Sequence, residues 1–183
     1  LEMHGYLVRL ADRSWRLGAA ASRLGAVYQA AFNLGDIVEP VLQQVMAATG
    51  ETVVFHVREG DVRVSLYRVE STQRIRDHVR QGEHLPLERG AGGKVLLAFS
   101  GEKGAEFDRI RKAKVYVTAG SRIADLGGIS APVFGVRQEL MGALTVSVPL
   151  TRFEKRDIAR IEPVVRTHAA LLTRNLGGDA SIY

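Results

Sequence analysis

No cysteine occurs in the 183 residues. That excludes disulfides, thiolate metal ligands, a cysteine nucleophile and thiol redox sensing together, and it fits a reducing cytoplasm. Long apolar runs are also missing. Arg9, Asp12, Arg13 and Arg16 interrupt the start, and nowhere do about 18 apolar residues follow one another, so neither a signal peptide nor a membrane span is expected. A strong charge of one sign is lacking too: the net +5 is the difference between 25 basic and 20 acidic residues. Such an excess permits a nucleic-acid partner without being its signature. There is no internal repeat, low-complexity tract or block of like charge.

What is present is an ordinary globular composition, 46% hydrophobic and 25% charged, in a chain long enough for one domain and a short appendage. The opening Leu1-Glu2-Met3 reads either as part of a longer protein or as a two-residue scar before a start. Residues 5–10 and 15–17 are expected to form the two arms of a basic hairpin, with Ala11-Asp12-Arg13-Ser14 as its turn. Such a hairpin is marginal alone and must pack on something else. The Ala-rich stretch from Ala19 to Asn33 places Leu24, Val27, Tyr28 and Ala31 on one helical stripe. A second helix is expected with Asp36 as N-cap, Pro40 in its first turn or so and Gly50 at its end.

Beyond Gly50 the period changes to that of strands. Residues 52–58 and 62–69 make a hairpin about Glu59-Gly60-Asp61, with a further strand expected around Ile75 to Val79. Gly90-Ala91-Gly92-Gly93 opens a short buried helix through Phe99, and Phe107 and Ile110 mark another. Strands follow at 115–117, 128–136 and 140–148, then a long helix from Glu154 to about Asn175. Hairpins mixed with helices, without regular βαβ alternation, indicate an α+β domain with an antiparallel sheet flanked by helices.

Catalytic motifs fail one by one. The glycine run has Glu88 and Val95 where a Walker A loop needs Gly and Ser or Thr, and Val95 again where a dinucleotide fingerprint needs its third glycine. Ser100-Gly-Glu-Lys103 has the Ser-x-x-Lys spacing of β-lactamases without either partner motif. Among His4, His56, His78, His84 and His168 there is no His-Glu-x-x-His; His78, His84 and Glu88 read as exposed loop residues. No catalytic residue, metal site or cofactor is expected. In Leu144-Thr145-Val146-Ser147-Val148 the two hydroxyls share one strand face. Either that face is solvent, or the hydroxyls point inward and need polar partners such as a ligand.

Several separate stretches, in order, resemble one family. Leu85-Pro86-Leu87, Gly90 to Ala98, Ile129-Ser130-Ala131-Pro132-Val133-Phe134 and Gly142 to Pro149 are similar to the effector-binding domain of IclR-type bacterial transcription regulators, and Arg68-Val69-Glu70-Ser71 fits as well. The opening from Gly5-Tyr6-Leu7 to Trp15-Arg16-Leu17-Gly18 resembles the wing of their winged helix-turn-helix, with Leu24-Gly25 in the linker helix.

The resemblance implies a GAF-like fold with a wing hairpin at 1–18, a linker helix at 19–34 and an effector-binding domain at 35–178, the recognition helix lying before Leu1. It further implies operator DNA as a partner, a homodimer or tetramer, no membrane, and a small organic effector that shifts DNA affinity. Position by position, the pocket falls on the backbone of Ala91 and Gly92 and on Thr118, Leu126, Gly128, Thr145 and Ser147. Arg9, Arg13 and Arg16 would touch the DNA backbone. Helix-start amides and two hydroxyls suit a carboxylate. Glyoxylate-responsive members carry an acidic residue at the position of Thr118 and a cysteine at that of Gly128, so the effector expected here is a larger or more apolar acid, such as an aromatic one. The competing reading is a stand-alone GAF-like enzyme or a small-molecule sensor without DNA binding.

Overall fold

The computed structural model describes residues 1–24 and 33–183, which fall into two compact units, Leu1–Leu34 and Gly35–Tyr183. In the first, β1 (Leu7–Arg9) and β2 (Trp15–Leu17) pair antiparallel, Val8 opposite Arg16 and Arg9 opposite Trp15. Asp12 caps the turn by accepting from the Ser14 amide at 2.9 Å. Residues 19–24 are helical. Of the expected linker stripe, Val27, Tyr28 and Ala31 lie outside the described residues.

All but the first residue of α1 (Leu34–Thr49) belongs to the second unit, and its inward residues Val38, Val41, Leu42 and Val45 are buried at three- and four-residue spacing. The helix starts earlier than its sequence signals suggest: Asp36 lies in the first turn rather than at the N-cap, which places Pro40 in the second turn. A six-stranded antiparallel sheet follows, in the order β5-β4-β3-β8-β7-β6. Its strands are β3 (Thr52–Glu59), β4 (Val62–Val69), β5 (His84–Pro86), β6 (Tyr116–Ala119), β7 (Leu126–Phe134) and β8 (Leu140–Pro149). The hairpin between β3 and β4 turns at Gly60, where φ is +56° and a side chain would be strained.

Helices cover both faces. On one, α2 (Gly90–Phe99) lies against β7, β8 and β3, backed by α3 (Ala105–Ala113). Val95, Leu96, Ala98, Ile110 and Ala143 form its apolar cluster. On the other, α4 (Lys155–Asn175) lies against β7 and β8 with Ile161, Val165, Ala169 and Leu172 inward. Glu154 and Asp157 close a reciprocal capping box at its start. With a helix on each side, β8 has no solvent face: residues 142–149 are all buried.

The strand expected at Ile75 to Val79 does not form. The segment has no ladder partner; side chains hold it instead, with Arg152 donating to the Ile75 carbonyl at 2.7 Å while its guanidinium is bidentate on Glu51 at 2.6 and 2.9 Å.

Candidate functional site

Paired residues on adjacent strands share a face, and the register lines up two short rows of mostly small or hydroxyl-bearing residues across the sheet. Thr118 lies opposite Gly128, Gly128 opposite Ser147, Ser147 opposite Thr52, and Thr145 opposite Val54 and Ser130. On this face His56, Arg63, Thr118, Gly128, Thr145 and Ser147 meet the start of α2 and the segments carrying Asp77 and Arg122, enclosing a cavity of about 20 Å³. The β8 hydroxyls therefore point inward: Thr145 is 3% and Ser147 9% exposed. Beneath the cavity Ser130 Oγ lies within donating reach of the Leu144 carbonyl at 3.1 Å and of Thr145 Oγ1 at 2.9 Å; its one proton serves either, and where it serves Thr145 the threonine proton can turn toward the cavity.

Of the residues expected from sequence, Ala91, Thr118, Leu126, Gly128, Thr145 and Ser147 line the cavity. Gly92 lies against its wall groups. A Cβ there would stand 2.7 Å from Arg63 Nη1 and from His56 Cδ2, and 2.8 Å from Thr145 Oγ1. One on Gly93 would strike the Leu87 carbonyl oxygen at 2.1 Å. The glycine run is thus neither a phosphate loop nor a dinucleotide turn; it lets a helix start settle onto side chains of the sheet. Arg89, the N-cap, makes no side-chain cap bond, and the Gly90 amide donates to Ser121 Oγ at 3.1 Å. The amide end of α2 accordingly bears on the cavity, the end of a helix that favours negative charge.

Sequence reasoning missed the charged members. Arg63, on β4, is 2% exposed yet makes no side-chain hydrogen bond or ion pair among the described residues, and its Nε is buried without a partner. Burial first, then the charge of Arg122, lowers its pKa to about 10, with Asp77 opposing. It remains a cation at neutral pH. Arg122 is itself held by Asp77, Nη2 to Oδ2 at 2.5 Å, with Asp77 only 3% exposed. His56 is 3% exposed with Nδ1 unpartnered, and its pKa falls well below 6.5 through desolvation and then the two arginines. It is a neutral imidazole beside an unpaired cation. The only sequence signal for Arg63 was its place in the alternation of Val62-Arg63-Val64-Ser65, which looks the same for a solvent face and for a buried polar face.

This arrangement can bind an anion. No group of three or more His, Asp or Glu among the described residues could hold a metal, and His78, His84 and Glu88 are exposed and apart from the cavity walls. Arg9, Arg13 and Arg16 are exposed in the hairpin unit. Arg9 stacks over the Trp15 ring at 5.8 Å, and Arg13 sits in the turn with φ +69°.

A curled antiparallel sheet flanked by helices, with a partly enclosed polar pocket at a helix start, defines the class as an α+β domain of the helix-flanked antiparallel type. The family described as "Bacterial transcriptional regulator IclR C-terminal" matches residues 27–122. The DNA-binding transcriptional repressor YiaJ of Escherichia coli is 25% identical over 97% of this chain and 73% of its own length. The crystal structure of the Thermotoga maritima IclR protein superposes with a TM-score of 0.73 at 25% identity, covering 97% of this chain and 82% of that one. That of Pseudomonas aeruginosa HmgR gives a TM-score of 0.86 at 19% identity over 98% and 82%. This chain belongs to the IclR family of bacterial transcription regulators. It is a regulator rather than an enzyme, and no described helix is long and apolar enough to cross a membrane.

Proposed function

We propose that this chain is the sensing portion of a ligand-responsive, DNA-binding regulator that works in the cytoplasm as a homodimer or tetramer, its effector being a small organic acid. Arg63 carries the reading. An isolated buried cation costs several kcal/mol in apolar surroundings, and a charge-assisted hydrogen bond to a carboxylate offsets that cost. One carboxylate held against Arg63 would also be within the field of the α2 amides and of the Thr145 and Ser147 hydroxyls. Such a ligand changes DNA affinity if it favours one arrangement of the oligomer, and the coupling is then reciprocal. The hairpin at 1–18 is assigned as the wing, and operator DNA as the partner.

Calorimetric titration with benzoate and hexanoate, against benzamide and hexanamide as uncharged controls, tests the reading. Acids should bind and amides should not, and Arg63→Met should abolish binding. Operator anisotropy of the intact gene product, with and without acid, should then show a shifted affinity. Equal binding of acid and amide would remove the basis for an anionic effector.

A further inference from the structure

Resting on the reading of an acid effector, we infer that the effector is a monocarboxylate with an apolar body of several carbons, and that this body occupies a second cavity of the same unit. The inner cavity is too small for a whole ligand. At about 20 Å³ it exceeds only slightly the ~10 to 15 Å³ that one water requires on the same measure, enough for a carboxylate group pressed against Arg63 and nothing behind it. The remainder must leave through a wall. One wall is shared with such a space: Asp77, Val79, Arg122 and Leu126 line both the inner cavity and a second one of about 560 Å³.

The second cavity is chemically unlike the first. Ile75, Val79, Ile123, Leu126, Pro149 and Leu150 supply its apolar lining. Ile75 is 65%, Ile123 44% and Leu150 37% exposed, large apolar side chains left open to solvent around one hollow. Its two arginines are both engaged, Arg122 with Asp77 at 2.5 Å and Arg76 with Glu70 at 2.7 Å. A second carboxylate would find no unpaired arginine there among the described residues, which is why the ligand is assigned one acid group. Head-group chemistry at Arg63 and apolar chemistry behind the shared wall describe one amphipathic molecule, arranged as ligand sites usually are, with few polar anchors and a mainly apolar wall.

The test is a chain-length series of acetate, butyrate, hexanoate and octanoate, titrated by calorimetry into the wild-type chain and into Arg63→Met, Ile123→Asp and Leu150→Asp. Each buried CH₂ should raise affinity about fourfold, so hexanoate should exceed butyrate by roughly 15-fold. Ile123→Asp and Leu150→Asp should flatten that dependence, and Arg63→Met should remove binding of every member. If acids bind through Arg63 with no dependence on length, the second cavity is not part of the site while the acid effector stands. If the dependence persists in both aspartate variants, the body lies elsewhere and the inference fails. If those variants leave the series unchanged but alter the oligomeric state by light scattering, the apolar hollow is an interface between copies. If no acid binds the wild type, the acid reading itself fails, and the inference with it.

Discussion

Gly92 and Arg63 are fitted to each other: a Cβ on the glycine would lie 2.7 Å from Nη1 of the arginine, closer than real Cβ atoms come to any neighbour. Gly92→Ala must therefore move the guanidinium, and with it His56 Cδ2 and Thr145 Oγ1, which stand about equally close. Overpacking of this kind costs about 1 to 3 kcal/mol. Urea unfolding should register that loss, and calorimetry with hexanoate should show binding at least tenfold weaker. Gly93→Ala should be worse, because its obstacle is the Leu87 backbone oxygen at 2.1 Å, which cannot rotate away. Equal stability of both variants would show that the helix start is free to lift off the sheet.

The same close fit explains what could and could not be read from sequence. Periodicity located the helices and most strands because their apolar stripes are buried as stripes, as Val38, Val41, Leu42 and Val45 are in α1. Resemblance placed Ala91, Thr118, Leu126, Gly128, Thr145 and Ser147 in one pocket; alternation alone favoured a solvent face for the β8 hydroxyls. Whether a polar face is wet or buried depends on what covers it, here α2, and that information sits far away in the chain. Arg63 and His56 were invisible for the same reason. The sequence suggests a strand around Ile75 to Val79, yet Ile75 is 65% exposed and Asp77 3%, because Arg122 and Arg152, far along the chain, hold this segment through side-chain bonds. No local pattern announces a segment fixed that way.

The hydroxyls and the missing side chain at position 128 can be separated. Thr145→Val with Ser147→Ala would remove both hydroxyls that the proposed carboxylate meets on β8, a hydrogen bond being worth about 0.5 to 1.5 kcal/mol and more toward a charge. Hexanoate affinity should fall at least fivefold with Arg63 intact. Gly128→Leu acts by volume: its Cβ would already touch the Ala91 Cβ at 3.3 Å, and the rest of the side chain has only the cavity to enter. That variant should abolish binding with a melting temperature within a few degrees of wild type. Undiminished affinity in both variants would place the ligand elsewhere.

The Asp77–Arg122 pair should be asymmetric to mutation. Asp77 has 3% of its side chain exposed and Arg122 17%, so Arg122→Met strands a buried carboxylate, whereas Asp77→Asn frees an arginine that can turn toward water. Breaking a buried pair costs about 3 to 5 kcal/mol. Arg122→Met should approach that figure in urea unfolding, Asp77→Asn should cost clearly less, and the double variant should recover part of the Arg122→Met loss. Simple additivity of the two changes would mean the groups do not depend on one another.

Acid should destabilise the domain through His56. Its folded-state pKa lies well below 6.5, from desolvation first and then from Arg63 and Arg122. Above 6.5 both folded and unfolded imidazoles are neutral and the group contributes nothing to pH dependence. As pH falls through that value the unfolded chain takes up a proton that the folded chain refuses, so stability declines by at most about 1.4 kcal/mol per pH unit down to the folded-state pKa. Melting curves at half-unit steps from pH 7.5 to 5 should show this decline, and His56→Gln should flatten the upper part of it. A profile identical in the variant would assign the acid sensitivity to carboxylates instead.

The hairpin arginines should not contribute equally to DNA binding. Arg9 pairs across the ladder with Trp15 and shares its face, while Arg16 pairs with Val8 on the opposite face, since neighbouring residues on a strand point to opposite sides. Arg9 is also engaged with the Trp15 ring at 5.8 Å. A wing laid on a duplex can turn only one face toward the phosphates, with Arg13 in the turn reachable from either. Each phosphate that a substitution leaves without its arginine makes the slope of log K against log salt shallower by about 0.9. Measured by anisotropy on the intact regulator, Arg13→Ala should reduce the slope by about that amount, and only one of Arg9→Ala and Arg16→Ala should add to it. Arg9→Ala is expected to have the smaller effect, because its guanidinium already has a partner. If all three substitutions leave the slope unchanged, the hairpin does not touch the duplex.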